Sequence, residues 1–187
     1  MIIRRIFLSL LGLGSFAFVH AADLLPIAAE LANTAMPYVY GSGDVARGGL
    51  DCSGFVQVVF RRAYGLELPD EAGKQYLYLR EHGRVWDATT GWKLEELQPG
   101  DLIFWSGTHP TNRPSPITHV MIYMGKNTMA GSQNAGKRLN GTGNGVGFFR
   151  CHPTPPTGNP LIDQEPFRQK LHLYAYGRVT PPVATQP

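Results

Sequence analysis

The sequence is poor in cysteine, poor in charge and poor in long apolar runs. Cys52 and Cys151 are its two cysteines, so counting allows one disulfide at most, and only in an oxidising compartment. Charged residues fill 17% of the 187 positions, while aliphatic and aromatic residues are plentiful. That balance describes a chain that buries a core, not a disordered one. One domain is the expectation at this length, and neither an internal repeat nor a second domain is visible. Beyond residue 21 no segment is apolar enough to span a bilayer.

The one long apolar run is N-terminal. Arg4 and Arg5 precede Ile6 to Val19, and Val19-His20-Ala21 ends the stretch with small residues where a signal peptidase reads. Residues 1–21 therefore read as a Sec-type signal peptide. The run is short for a membrane anchor, and no lipoprotein cysteine follows it. The expectation is a chain exported to the periplasm or secreted, with no stable membrane insertion after cleavage. Taking the two signal-peptide arginines from 17 Lys+Arg leaves 15 bases against 14 acids, a net charge near +1. Such a balance gives no footing for nucleic-acid binding.

Apolar spacing predicts a helix over residues 23–34, with Leu24, Ile27, Ala28 and Leu31 on one face and Pro37 as its stop. A glycine-rich loop then runs into a second helix over Ser53–Tyr64, capped by Gly65. A short helix is expected over Ala72–Glu81, and strands over Asp101–Trp105, 119–124, Thr128–Gly131 and Leu171–Val179. With 22 glycines and 15 prolines, long loops are expected, notably Ser106–Thr118 and 132–168. Asn140-Gly141 and Asn144-Gly145 read as hairpin-type turns, and residues 180–187 as a disordered tail. Short connections between strands favour an antiparallel sheet with helices packed on one side, an α+β arrangement.

The chemistry-bearing candidate is Cys52, placed where the glycine-rich loop meets the second helix. A thiolate, not a thiol, attacks a carbonyl. Helix N-termini offer partial positive charge and unpaired N–H groups, which favour a thiolate and can hold an oxyanion. Asp51 or Ser53 would cap the helix. The base must come from elsewhere in the chain, and His119 opens an apolar strand directly after a polar loop. His82 lies in a charged helical stretch, His109 and His152 in proline-rich loops, and His172 on a late strand, all weaker placements. A zinc site of Cys52, His119, Cys151 and His152 is set aside. Only Cys151 and His152 are close in sequence, and adjacent ligands chelate poorly.

These residues carry a family resemblance. MPYVYGSG…GGLDCSGFVQVVF resembles the cysteine-bearing motif of the NlpC-type cell-wall cysteine peptidases. LPDEAGKQY resembles the segment after the nucleophile helix, LQPGDLIFW a strand-opening motif, and HVMIYMG the histidine strand. The motifs fall in family order from about residue 25 to 131. The resemblance implies a papain-like α+β core with the nucleophile helix packed on an antiparallel sheet. It implies hydrolysis of amide bonds in peptidoglycan stem peptides, typically between D-γ-glutamyl and diaminopimelate or lysine. It implies a monomer that needs no metal or organic cofactor. Cys52 matches the family nucleophile and His119 its base. Tyr38, Asp51 and Ser53 match residues that line the substrate site, with capping and loop shape an equal reading for the last two.

The sequence departs from the family in one place that matters. Many members carry a third polar residue, usually His, about a dozen positions after the base, to orient the imidazole. Here that position falls on Ala130 or Gly131. A backbone carbonyl, or Ser132 or Gln133 with a shifted register, would have to serve. Asp70 stands where the family often has arginine. Two other functional classes fit the same residues: a catalytically inactive module that binds wall peptides, and an acyltransferase or deacylase on the same fold. Cys151 has no assigned role, unless it pairs with Cys52 in an oxidised, inactive form.

Overall fold

The computed structural model describes residues 21–91, 93–134, 137–139, 141–142, 144–151 and 172–180. Residues 1–20 of the expected signal peptide, His152, Leu171 and the expected tail beyond residue 180 lie outside the described residues. Helix α1 spans Ala21–Asn33 and buries Leu24, Ala28 and Leu31, as the spacing predicts. It ends before Pro37 is reached: Thr34 Oγ1 donates to the Leu31 carbonyl at 2.7 Å, and Ala35 turns to a φ of 52°.

Helix α2, Cys52–Tyr64, is the centre of the molecule. From Cys52 to Phe60 every residue but Gln57 is buried, so the helix is embedded and does not merely face the core. Gly65 ends it in the left-handed conformation, φ 64°, its N–H returning to the Arg61 carbonyl. Helix α3 follows at Ala72–His82.

Among the described residues eight strands come next: β1 Arg84–Asp87, β2 Leu102–Ser106, β3 Ile117–Gly125, β4 Thr128–Gln133, β5 Lys137–Arg138, β6 Gly141–Thr142, β7 Gly145–Arg150 and β8 His172–Arg178. Six form one antiparallel sheet in the order β1-β8-β2-β3-β4-β7, and β5 and β6 pair separately. The fold is α+β, with the three helices of the described residues against one face of the sheet. Two expectations are corrected here. Residues 145–150 are a strand and not loop. Asn144-Gly145 is not a hairpin turn, because Gly145 already pairs with Gln133. The Asn140-Gly141 turn is flanked by pairing of Lys137 with Thr142, although Asn140 itself lies outside the described residues.

Alternation divides the buried residues into two cores. Leu102, Phe104, Val120, Ile122, Ala130 and Ala175 join the helices. Ile103, Trp105, Met121, Met129, Leu173 and Tyr176 form a second cluster on the opposite face. Burial on both faces explains why β3 reads as a continuous apolar run. In β8 the sequence alternation does not map onto one inward face. The register with β2 slips between Phe104, opposite Ala175, and Trp105, opposite Leu173, and this bulge sends Tyr176 and Leu173 to the same side.

Beside this sheet, Asp87 acts as a buried knot. It accepts hydrogen bonds from Thr89 N and Oγ1, Thr90 N and the Tyr76 hydroxyl at 2.6–2.9 Å. Burial alone would raise its pKa, but the donors Thr89, Tyr76 and Thr90 outweigh burial and hold the carboxyl well below its ordinary range. A depressed carboxylate pKa contributes stability above the unfolded-state pKa of about 3.9 and loses it as pH falls further. Asp87→Asn should therefore cost about 1–3 kcal/mol at pH 7. Thermal melts of both proteins from pH 7 to pH 2 should show the gap narrowing below about pH 4.

Candidate functional site

The nucleophile candidate is positioned by backbone first. Tyr38 bridges to Leu50, Val39 N donates to the Leu50 carbonyl at 3.2 Å, and Asp51 N donates to the Ser42 carbonyl at 2.9 Å. Asp51 is the helix cap. Its Oδ1 accepts from Gly54 N at 2.7 Å and lies 2.9 Å from Ser53 Oγ, while Oδ2 accepts from Gly41 N at 2.9 Å. One carboxylate thus ties the loop to the first turn of α2. Ser53 supports this arrangement and does not compete for the cap; its hydroxyl also lies 3.0 Å from the Asp70 carbonyl.

Gly54 explains the glycine in DCSGF. A Cβ there would run into the Ser42 carbonyl oxygen and come within 2.7 Å of Gly43 Cα, both backbone. Gly54→Ala should push the 41–44 loop off α2 and cost roughly 2–4 kcal/mol, a clash that side chains cannot relax. Chemical denaturation should show the midpoint falling at unchanged m-value.

Cys52 is 6% exposed. Burial raises its pKa most, and the Asp51 carboxylate adds to the rise. Backbone N–H groups of Val120, Ser53 and Cys52 pull the other way, and the thiol settles at about 12. The helix terminus acts in the expected direction but does not win. Burial and the neighbouring carboxylate thus oppose the helix terminus and favour the neutral thiol.

His119 lies on β3, its ring 5.6 Å from that of Trp105, and it is 5% exposed. Burial lowers its pKa to about 4, against a smaller opposing effect of Gln133. Nε2 is sealed from solvent with no hydrogen-bond partner among the described residues. Cys52 reaches β3 at the N–H of Val120, the residue next to His119, and Nε2 makes no bond to the sulfur. Of the candidates for the third polar role, Ser132 is engaged elsewhere: its Oγ donates to the Leu50 carbonyl at 2.6 Å. Gln133 is the one beside the imidazole.

A cavity of about 250 Å³ opens on Cys52. Tyr38, Asp51 and Ser53 line it, but the His119 ring does not. Tyr38 has its hydroxyl pKa raised by burial first, then by Cys52 and Asp51. The sequence reading passed over His109 and Arg113, which come from the 107–116 loop and face the same cavity. The signal was in the sequence: this loop is polar and carries both residues four positions apart. Arg113 pairs with Glu71 at 2.8 Å and donates to the Tyr40 hydroxyl at 3.3 Å. His109 packs edge-on against Tyr40, and burial and then Arg113 lower its pKa. Asp70 also lines the cavity and meets Lys74 at its exposed rim, 3.0 Å. Cys52 and Cys151 belong to different cores, one on each face of the sheet, so the suggested oxidised pair has no basis in the fold. Among the described residues no three His, Cys, Asp or Glu side chains converge as a metal site requires. Among them, too, no helix is long and apolar enough to cross a membrane.

Similarity to known proteins agrees with this architecture. A gamma-DL-glutamyl hydrolase of Bacillus subtilis is 36% identical over 92 residues, 48% of this chain and 18% of that protein. The bifunctional muramidase/DL-endopeptidase CwlT of the same species is 36% identical over 116 residues, 62% of this chain and 30% of that protein. The chain thus spans less than a third of either relative. Among solved structures, an NLP/P60 protein of Staphylococcus aureus superposes with a TM-score of 0.55 at 24% identity, over 89% of this chain and 44% of the other. RipD of Mycobacterium tuberculosis, described as a non-catalytic NlpC/p60 domain protein, gives 0.51 at 19% identity, over 85% and 96%. Residues 35–146 match the NlpC/P60 family, and the chain belongs to that family.

Proposed function

We propose that this chain is an exported cysteine peptidase that hydrolyses amide bonds in peptidoglycan stem peptides, at D-γ-glutamyl–diaminopimelate or a like bond. In this reading residues 1–21 direct export and 22–179 are the working domain. The observation that carries it is Cys52 at the N-terminus of α2, opening on a cavity and backed by the strand that bears His119. The DL-endopeptidase and glutamyl hydrolase names of the relatives supply the substrate class.

The chemistry follows from two neutral groups. As the substrate carbonyl approaches, the Cys52 proton passes to His119 and sulfur attacks the carbonyl carbon. Charge develops on the carbonyl oxygen, where N–H groups at the start of α2 can receive it. His119 then returns the proton to the leaving amine, and water hydrolyses the thioester with His119 again as base. Tyr38 forms one wall of the substrate site in this reading, beside Asp51 and Ser53.

A second reading has one observation in its favour: the His119 ring is off the cavity wall. The chain would then bind wall peptides without cleaving them, the role named for RipD. Mass spectrometry of purified peptidoglycan incubated with residues 22–187 decides between them. New fragments from the wild type and none from Cys52→Ala establish the peptidase. Retention on peptidoglycan with no fragments from either protein establishes the binding module.

A further inference from the structure

We infer that, on the proposed γ-glutamyl reading of the substrate, Arg113 receives the free α-carboxylate of the glutamyl residue and so selects acidic stem peptides over their carboxamides. A glutamyl residue joined through its side chain keeps its α-carboxyl outside the scissile amide. Only a short methylene linker separates that carboxyl from the carbonyl that is attacked. When the carbonyl reaches Cys52, the carboxylate lies in or at the mouth of the same cavity. A carboxylate taken out of water needs a cation or several donors in exchange. Among the described residues that line the cavity, Arg113 is the one permanent cation.

Three separate segments hold its guanidinium in place. Arg113 comes from the loop between β2 and β3, Glu71 is the N-cap residue of α3, and Tyr40 belongs to the loop that precedes Cys52. Nη1 meets Glu71 Oε2 at 2.8 Å, and Nη2 donates to the Tyr40 hydroxyl at 3.3 Å. A guanidinium carries five N–H donors in a planar fork, so these two contacts leave donors over. The fork fits a carboxylate through two parallel bonds, which a carboxamide cannot accept equally well. The side chain is half-exposed, within reach of a ligand that enters the cavity.

The carboxylates on the same walls are already committed and do not make this a cation site. Both oxygens of Asp51 accept from backbone N–H groups. Both oxygens of Glu71 are paired, one with Lys74 and one with Arg113. Asp70 meets Lys74 at the exposed rim, and Lys74 itself does not line the cavity. His109 packs on Tyr40 beside the guanidinium. Burial and then Arg113 lower its pKa, so it is neutral at pH 7 and leaves the positive charge to Arg113.

The test is isothermal titration calorimetry on the Cys52→Ala protein with two synthetic stem peptides. They differ only at the α-carboxyl of the γ-D-glutamyl residue, which is free in one and a carboxamide in the other. The acid should bind about tenfold tighter or more, and the preference should shrink as salt rises. Adding Arg113→Gln should weaken the acid about tenfold or more and leave the carboxamide within about twofold. Arg113→Lys should keep part of the preference, having the charge without the fork. The pair with Glu71 is half-exposed, so Tm should hardly move, and the steady carboxamide affinity is a second control on folding. Equal affinity of the parent protein for the two peptides, a preference that survives Arg113→Gln, or no binding of either peptide overturns the inference. Binding to the Cys52→Ala protein reads the same whether or not the wild type cleaves peptidoglycan, so failure of the peptidase reading is a separate result.

Discussion

Fragment release from peptidoglycan should vanish in Cys52→Ala and fall by about 10³-fold or more in His119→Ala. The two losses have different physical origins. Cys52 is the atom that forms the bond, and its thiol is held in one place by the Asp51 cap and the Val120 N–H. Alanine leaves the cavity and its walls intact, so the folded protein should keep its Tm and lose the reaction. Cys52→Ser should be nearly as inert, because a hydroxyl is a poorer nucleophile than a thiol and gives up its proton less readily to an imidazole whose pKa burial holds low. His119→Ala removes the group that takes the proton, and also a buried ring packed on Trp105. It therefore needs a fold control, which circular dichroism and a melting curve provide. His109→Ala completes the set, since His109 faces the cavity. Retained activity in His109→Ala with loss in His119→Ala assigns the base to β3. The opposite pattern moves the base to the 107–116 loop.

Alkylation of Cys52 by iodoacetamide at pH 7 should be slower than that of a free thiol by about 10³-fold or more, and should rise about tenfold per pH unit toward alkaline pH. The reason is the balance at the sulfur. Burial and Asp51 raise the thiol pKa to about 12, and burial lowers that of His119 to about 4. Between these values both groups are neutral, so the resting pair is thiol and imidazole, not thiolate and imidazolium. No thiolate absorbance near 240 nm should separate wild type from Cys52→Ala at pH 5–8. A plateau of fast alkylation across that range would show a preformed ion pair and overturn the assignment. The sign for His119 follows. The base is neutral above about pH 4, so cleavage should be lost as pH falls through that value. Proton transfer then belongs to the attack itself and not to the resting enzyme.

What the residues revealed in advance, and what they hid, divides along local and non-local lines. The apolar stripes of α1 and α2, the Gly65 cap and the Cys52 helix start are local patterns, and each stands where periodicity and capping rules put it. The strand at 145–150 was hidden because Gly145-Val146-Gly147 carries too little side chain to show alternation. It exists because β4 offers it a partner edge. His109 and Arg113 were hidden for another reason: a polar loop with prolines says nothing about which way it folds. The rise in the thiol's pKa was hidden because helix polarity is visible in sequence, whereas burial is a property of the assembled protein. Among residues flanking the nucleophile, Asp51 was legible as a cap, but its second oxygen, bonded to Gly41 N, belongs to the loop's return path.

The β4 strand carries a consequence that reaches beyond chemistry. Its neighbours Ser132 and Gln133 face opposite ways, one fastening the Leu50 carbonyl behind the nucleophile and the other standing by the imidazole. The two-residue turn at 126–127, closed by the pairing of Gly125 with Thr128, sets which of them faces which side. Adding or removing one residue there would exchange their faces along the whole strand, disarming both halves of the site with every catalytic side chain still present. The length of this tight turn is therefore fixed by the site, while the 107–116 loop meets the cavity through His109 and Arg113.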